Sequence, residues 1–258
     1  MLWPFDTKTL SLGVPLIIKF INGIGITDSM VDLGEYYKKN LRETKRKVKE
    51  SVSDDLLIIQ CINNIEDIGR VINTLVKRLR EWYELYLPEF SKRTFDHEKF
   101  VDSILKFEKK ALMKEFEIKE TMGADLGRED LKPILNLAQS IKELYKLKSG
   151  QENYLKNRME RVCPNLTKTA GAAIGAKLIE QAGSLRHLAE LPSSTVQLLG
   201  AEKALFRHLK NKKFRPPKYG VIMAHQTIQN SKRDEKGKAA RHLASKISIA
   251  VKVDYFRK

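Results

Sequence analysis

Between Ala201 and Lys258 the chain gathers lysines and arginines at spacings that suit a phosphate backbone. In GAEKALFRHL (Gly200–Leu209) helical spacing sets Lys203, Arg207 and Lys210 on one face, with Leu205, Phe206 and Leu209 around the other side. That apolar side is expected to pack into the core of its domain. The irregular NKKFRPPKYG follows with Lys212, Lys213, Arg215 and Lys218, its paired prolines stiffening the loop. AHQTIQNSKRDEKGK then supplies His225, Lys232, Arg233, Lys236 and Lys238, and Arg241 stands at the head of the last helix. Phosphate oxygens accept from such a mixture of guanidinium forks, ammonium point charges and backbone N–H groups. His225 could bond a phosphate or stack on a base. A packed or solvated ring is the plainer reading of a lone histidine.

Catalytic chemistry finds no comparable support. The sequence has no His-Glu-x-x-His, no Cys-x-x-Cys and no phosphate-binding loop ending in Gly-Lys-Ser/Thr. Gly23-Ile24-Gly25 lacks the third glycine of a dinucleotide motif, and the five histidines show no ligand spacing. Asp54-Asp55 and Asp234-Glu235 lie in helical or basic surroundings. In PSSTVQ, Ser194 is expected to cap a helix and Gln197 to reach back to it, which explains Ser193 and Ser194 without a nucleophile. These residues imply a binding protein and not an enzyme, with no metal and no cofactor.

The charge agrees. The 258 residues carry a formal net charge of +16, and the segment from Ala201 to Lys258 alone carries +12. A solubilising surface mixes both signs, so a one-signed block points to a polyanion. Cys61 and Cys163 have neither metal nor disulfide spacing and fit a reducing compartment, which places the chain in the cytoplasm. No stretch is long and apolar enough to span a bilayer. LSLGVPLIIKFINGIGI (Leu10–Ile26) superficially resembles a signal peptide, but it lacks a basic leader and Lys19 interrupts it.

Three segments must position the basic block. Residues 1–50 read as a small mixed α/β segment, with PLIIKF as a short strand and Lys38–Glu50 as a solvated basic helix face in preference to a second nucleic-acid site. Its Trp3, Phe5, Leu16, Ile18 and Phe20 are expected to form an apolar partner-binding surface. In residues 51–163, Ile58, Cys61, Ile65, Ile68, Ile72, Leu75, Leu79, Trp82 and Tyr86 alternate steps of three and four. This is the seam of a coiled coil, ended by Pro88. A second helix from Glu129 to Val162 continues an apolar stripe through Ile134, Leu137, Ile141, Leu144, Leu155 and Val162, with underpacking at KSGQEN. The two are expected to form a long antiparallel coiled-coil hairpin. Its tip carries Phe95, Phe100, Val101, Ile104 and Phe107, which a remote tip could not bury against its own core, so homodimerisation is expected there. Residues 164–258 read as a compact all-helical domain. Gly171 and Gly175 are expected to permit close helix approach. Ala240, Leu243, Ala244, Ile247 and Val251 should face inward from the last helix.

GAEKALFRHL, RPPKYGVIMAHQ, KGKAARHLASKISIAVKVDYF and LPSSTVQLLG closely resemble the Nop domain. LREWYELYLPEF and MGADLGREDL are similar to the ends of the two coiled-coil helices in that family, and the resemblance covers about residues 54–256. It is the family of archaeal box C/D guide-RNA particles and their nucleolar and spliceosomal relatives. The resemblance implies a non-catalytic scaffold. Its Nop domain would bind kink-turn RNA together with a small ribosomal-protein-like subunit. Its coiled coil would form a homodimer, and its N-terminal domain would hold the methyltransferase fibrillarin, which binds S-adenosylmethionine. RNA contact would fall on Lys203, Arg207, Lys218, His225, Lys238 and Arg241. Lys210, Lys213, Arg215, Lys232, Arg233 and Lys236 join them on charge alone. A kink-turn binder without a methyltransferase partner is the alternative.

Overall fold

The computed structural model describes residues 33–256, and the chain divides between Val52 and Ser53 into two compact units. Of the first unit, helix α1 (Leu33–Glu50) is described. Its basic residues face solvent, as their density predicts, and Lys47 pairs with Glu43 one turn away (3.1 Å). The expected PLIIKF strand, the α/β character of this segment and the partner surface of Trp3, Phe5, Leu16, Ile18 and Phe20 lie outside the described residues.

The second unit is mainly helical, with no strand among the described residues. Two long helices, α2 (Asp54–Tyr83) and α6 (Arg128–Val162), pack antiparallel. Ile58, Cys61 and Ile65 share a core with Leu155, Met159 and Val162. Further along, Ile72, Val76 and Leu79 share another with Ile134, Ala138 and Ile141. Helix α6 runs unbroken through KSGQEN, where no side chain between Ile141 and Leu155 is buried. The expected seam is buried from Ile58 to Ile72, with Ile62 beside it, and again at Leu79, while Val76 and Tyr83 are buried in place of Leu75 and Trp82. Trp82 is 39% exposed and Tyr83 only 3%. A 3.6-residue helix drifts away from a strict seven-residue seam, and two four-residue steps in succession, Ile68 to Ile72 and Ile72 to Val76, absorb that drift.

The stretch between them does build its own core, which corrects the expectation for the tip. It folds into α3 (Pro88–Arg93), α4 (His97–Lys106) and α5 (Lys109–Glu115). Helix α4 packs on α6, and Phe100, Val101 and Ile104 are buried. Phe100 stacks on Phe90 with centroids 5.2 Å apart, and Tyr83 meets both rings edge-on. The Arg80 guanidinium sits 4.2 Å over the Phe100 ring and donates to the carbonyls of Ser91 (2.9 Å) and Thr94 (2.6 Å) and to His97 Nδ1 (3.1 Å). Three short helices on the hairpin end thus cover what a bare tip would have exposed. Of the five residues expected at a dimer contact, Phe95 (89%) and Phe107 (42%) remain exposed.

At the other end, α7 (Pro164–Ala170), α8 (Ala172–Ala182), α9 (Leu185–Glu190), α10 (Ser193–Leu198) and the last helix α13 (Lys236–Phe256) gather on the base of the pair. Ala240, Leu243, Ala244, Ile247 and Val251 are buried as predicted. Gly171 has φ +83° and separates α7 from α8, so the two glycines do not share one helix. The close approach occurs at Gly175, where a Cβ would stand 2.9 Å from Met159 Cε. Buried Asp254 accepts the Asn165 (3.1 Å) and Leu166 (2.8 Å) N–H groups at the start of α7. Asp55 accepts the Leu185 N–H (3.0 Å) at the start of α9, and Asp54 pairs with Arg158. The acidic pair at 54–55 therefore holds helices together.

Ser194 does not cap α10. The Pro192 carbonyl accepts the Thr195 (2.9 Å) and Val196 (3.1 Å) N–H groups, so the helix starts at Ser193 and Ser194 falls inside it. Gln197 turns instead to the loop beyond.

Candidate nucleic-acid interface

Gly200 adopts φ +84°, open to glycine and costly for other residues, and this break ends α10. Helix α11 (Glu202–Lys210) follows, with the Glu202 carboxylate accepting the Gly200 N–H (2.6 Å). No residue of α11 is buried, contrary to the expected packing of its apolar side. Leu205 is half-buried, while Phe206 is 66% and Leu209 54% exposed. The reason is spatial. The core is filled by α8, α10, α13 and the turn Val221–Ala224, so α11 lies outside it. Lys203, Arg207 and Lys210 are exposed on the same short helix, so cations and apolar side chains face solvent together.

The following loop is fixed at both ends. His208 Nδ1–H donates to the Phe214 carbonyl (2.5 Å), and the Arg207 guanidinium lies 5.7 Å from the Phe214 centroid. At the far end, Gln197 Nε2 donates to the Lys218 carbonyl (2.6 Å), and the Gly220 N–H donates to the Gln197 carbonyl (2.9 Å). Gly220 is pressed so closely on the backbone that a Cβ would stand 1.8 Å from the Leu199 oxygen. The Lys218 stem reaches Gly237 at the start of α13, with Cδ 3.6 Å from where a Cβ would lie. Loop and last helix therefore join there, bringing Lys218 close to Lys236 and Lys238 in space. Lys213, Arg215, Lys232, Arg233, Lys238 and Arg241 are exposed, and Lys236 is half-buried.

The ion pairs lie in other parts of the molecule: Lys177 is 2.6 Å from Glu66 and 3.4 Å from Glu180, and Lys142 is 2.7 Å from Asp102. Among the described residues none of the lysines and arginines predicted to meet RNA forms an ion pair. Uncompensated charge of this density attracts a polyanion.

His225 takes a different place. It precedes α12 (Gln226–Gln229), where its Nδ1 accepts the Thr227 N–H (3.2 Å), and it lines a cleft with Lys168, His242 and Lys246. The exposed apolar surface of α11 and the place of Lys168 and Lys246 beside His225 were not anticipated from sequence. The i,i+4 spacing of His242 and Lys246 was the available signal. Among the described residues no group of three or more His, Cys, Asp or Glu could hold a metal, and no helix is long and apolar enough to cross a membrane.

Comparisons with known proteins converge on one family. Residues 64–258 match the family described as Nop, snoRNA binding domain, fibrillarin. An uncharacterized NOP5 family protein of Methanocaldococcus jannaschii is 39% identical over 229 residues, which are 82% of this chain and 55% of that protein. Nucleolar protein 58 of Schizosaccharomyces pombe is 39% identical over 217 residues, 78% of this chain and 42% of that one. Nucleolar protein 56 of the same yeast is 36% identical over 235 residues, covering 83% and 47%. The chain thus spans about half the length of the curated relatives it matches. A chain in the crystal structure of a fibrillarin/Nop5p complex aligns with a TM-score of 0.50 at 27% identity, covering 88% of this chain and 73% of that one. With three quarters of its length on the family pattern, this chain belongs to the Nop family, alongside the NOP5 proteins and nucleolar proteins 56 and 58.

Proposed function

We propose that the chain is a non-catalytic scaffold of a box C/D guide-RNA 2′-O-methylation particle, linking fibrillarin to kink-turn RNA. The observation that carries this reading is helix α11, which exposes Phe206 and Leu209 beside Lys203, Arg207 and Lys210. An RNA backbone would take the cations. The small ribosomal-protein-like subunit already on the kink-turn would cover the apolar side chains. Each surface alone is small, and presenting both on one partner removes one orientational cost. Residues 1–50 would hold fibrillarin through Trp3, Phe5, Leu16, Ile18 and Phe20, and fibrillarin would bind S-adenosylmethionine. Residues 51–163 would act as a coiled-coil hairpin that homodimerises through exposed Phe95 and Phe107, and residues 164–258 as the Nop domain. The assembly would work in the cytoplasm.

The test is a gel-shift titration with and without the kink-turn protein, across two salt concentrations. Each neutralised phosphate contributes roughly 0.7–0.9 of a logarithmic unit per tenfold salt. The double variant Lys203→Ala/Arg207→Ala is expected to make the slope shallower by about one to two units without altering the melting temperature. Phe206→Ala/Leu209→Ala is expected to weaken only the titration containing the kink-turn protein. Equal affinity with and without that protein would refute the composite surface.

A further inference from the structure

The cleft containing His225 is not used by that reading beyond His225 itself. It lies where α7, α12 and α13 meet, measures about 460 Å³, and is lined by Lys168, Thr169, His225, Thr227, His242 and Lys246 around apolar Ala239 and Leu243. Its walls contain two lysines and two histidines and no carboxylate. Neither lysine forms an ion pair among the described residues. The His225 ring has a defined tautomer, because an Nδ1 that accepts the Thr227 N–H must leave the proton on Nε2. Nε2 is thus the ring nitrogen left to donate.

We propose that this cleft is a second phosphate-binding site, which takes a phosphodiester of the bound RNA strand through Lys168, His242 and Lys246 together with His225. The inference rests on the RNA-binding reading above and extends its footprint. Continuity along α13 carries it. Lys238, in its first turn, is followed on the same side by exposed His242 and Lys246 at one-turn intervals, with Arg241 flanking them. A strand held at Lys238 and Arg241 would have the cleft next in its path. Lys168 joins from α7, a separate element that packs against α13. Exposed lysines on different helices suit a backbone passing over them. A small free anion needs several fixed donors to offset its lost translational freedom, and the cleft offers few.

The test compares the full chain with Lys168→Ala/Lys246→Ala, using kink-turn RNA with its cognate protein at two salt concentrations. The variant is expected to bind more weakly, with a salt slope shallower by about one to two units. Both lysines are exposed, so the melting temperature should hold, and Lys168→Arg/Lys246→Arg should restore the slope. Lys203→Ala/Arg207→Ala is run beside it. A shallower slope there with an unchanged slope in Lys168→Ala/Lys246→Ala would overturn the cleft and leave the α11 face standing. No change in either double variant would refute the RNA-binding reading itself. A second arm follows the imidazole NMR signals of His225 and His242 with inorganic phosphate at matched ionic strength. Saturable shifts with phosphate, beside an unchanged RNA slope, would assign the cleft to a free anion and overturn the strand proposal.

Discussion

Helices α4 and α11 are both short and amphipathic, yet they have opposite fates. Helix α4 buries Phe100, Val101 and Ile104 in the core of the tip, whereas α11 leaves Phe206 and Leu209 in solvent. The sequence suggests the reverse for each: an outward face at a remote tip, and an inward face within a compact domain. The difference lies in what surrounds them. At the tip, α3 and α5 and the ends of α2 and α6 close around α4. At the other end the last helix and the Val221–Ala224 turn already complete the core, and α11 is left outside. Amphipathicity states that an apolar face exists and leaves open what covers it.

The sharpest way to break this comparison is to truncate apolar side chains of each helix. Phe100→Ala removes a fully buried, stacked ring and is expected to cost about 3–5 kcal/mol, with a fall in melting temperature on the order of 10 °C. An unaltered melt would mean that the tip core does not form. Smaller, and at the opposite end, Gly220→Ala forces a Cβ onto the Leu199 backbone and is expected to cost about 1–3 kcal/mol. Because that contact anchors the loop carrying Lys213, Arg215 and Lys218, calorimetry and RNA affinity should worsen together. A loss of stability at full affinity would separate the loop from the interface.

A pH test sharpens the tip side further. Burial, and then the Arg80 charge beside it, holds the His97 imidazole below its ordinary range. The folded state therefore favours neutral His97, whose Nδ1 accepts from Arg80 Nε. The unfolded chain binds that proton more readily. Stability from this contact is complete above the ordinary imidazole range, about 6.5, and declines as pH falls through it. Melts at pH 7.5 and about 5.5 should show a larger loss for the wild type than for His97→Asn, which keeps an acceptor and cannot titrate. Parallel losses in both would remove His97 as the sensor. The smallest expected effect belongs to Phe206→Ala/Leu209→Ala, within about 0.5 kcal/mol of wild type by thermal denaturation. A loss comparable to that of Phe100→Ala would show that α11 is packed after all and erase the contrast.

The long-helix spacing, the inward face of α13 and the basic block were legible because each is a local property. Helical periodicity makes α13 bury Ala240, Leu243, Ala244, Ile247 and Val251 whatever covers them, and the net charge of +12 after Ala201 does not depend on the fold. Only tertiary structure decided the rest. Long-range capping gave Asp55 and Asp254 their roles, since the N–H groups they satisfy belong to residues more than eighty positions away. It moved the seam of α2 from Trp82 to Tyr83, where the tip packs. It drew Lys168, His225, His242 and Lys246 into one cleft from three separate elements. A sequence specifies which side chains seek water, phosphate or one another, and distances between chain segments select among those options. Those distances are set by the packing of the whole unit.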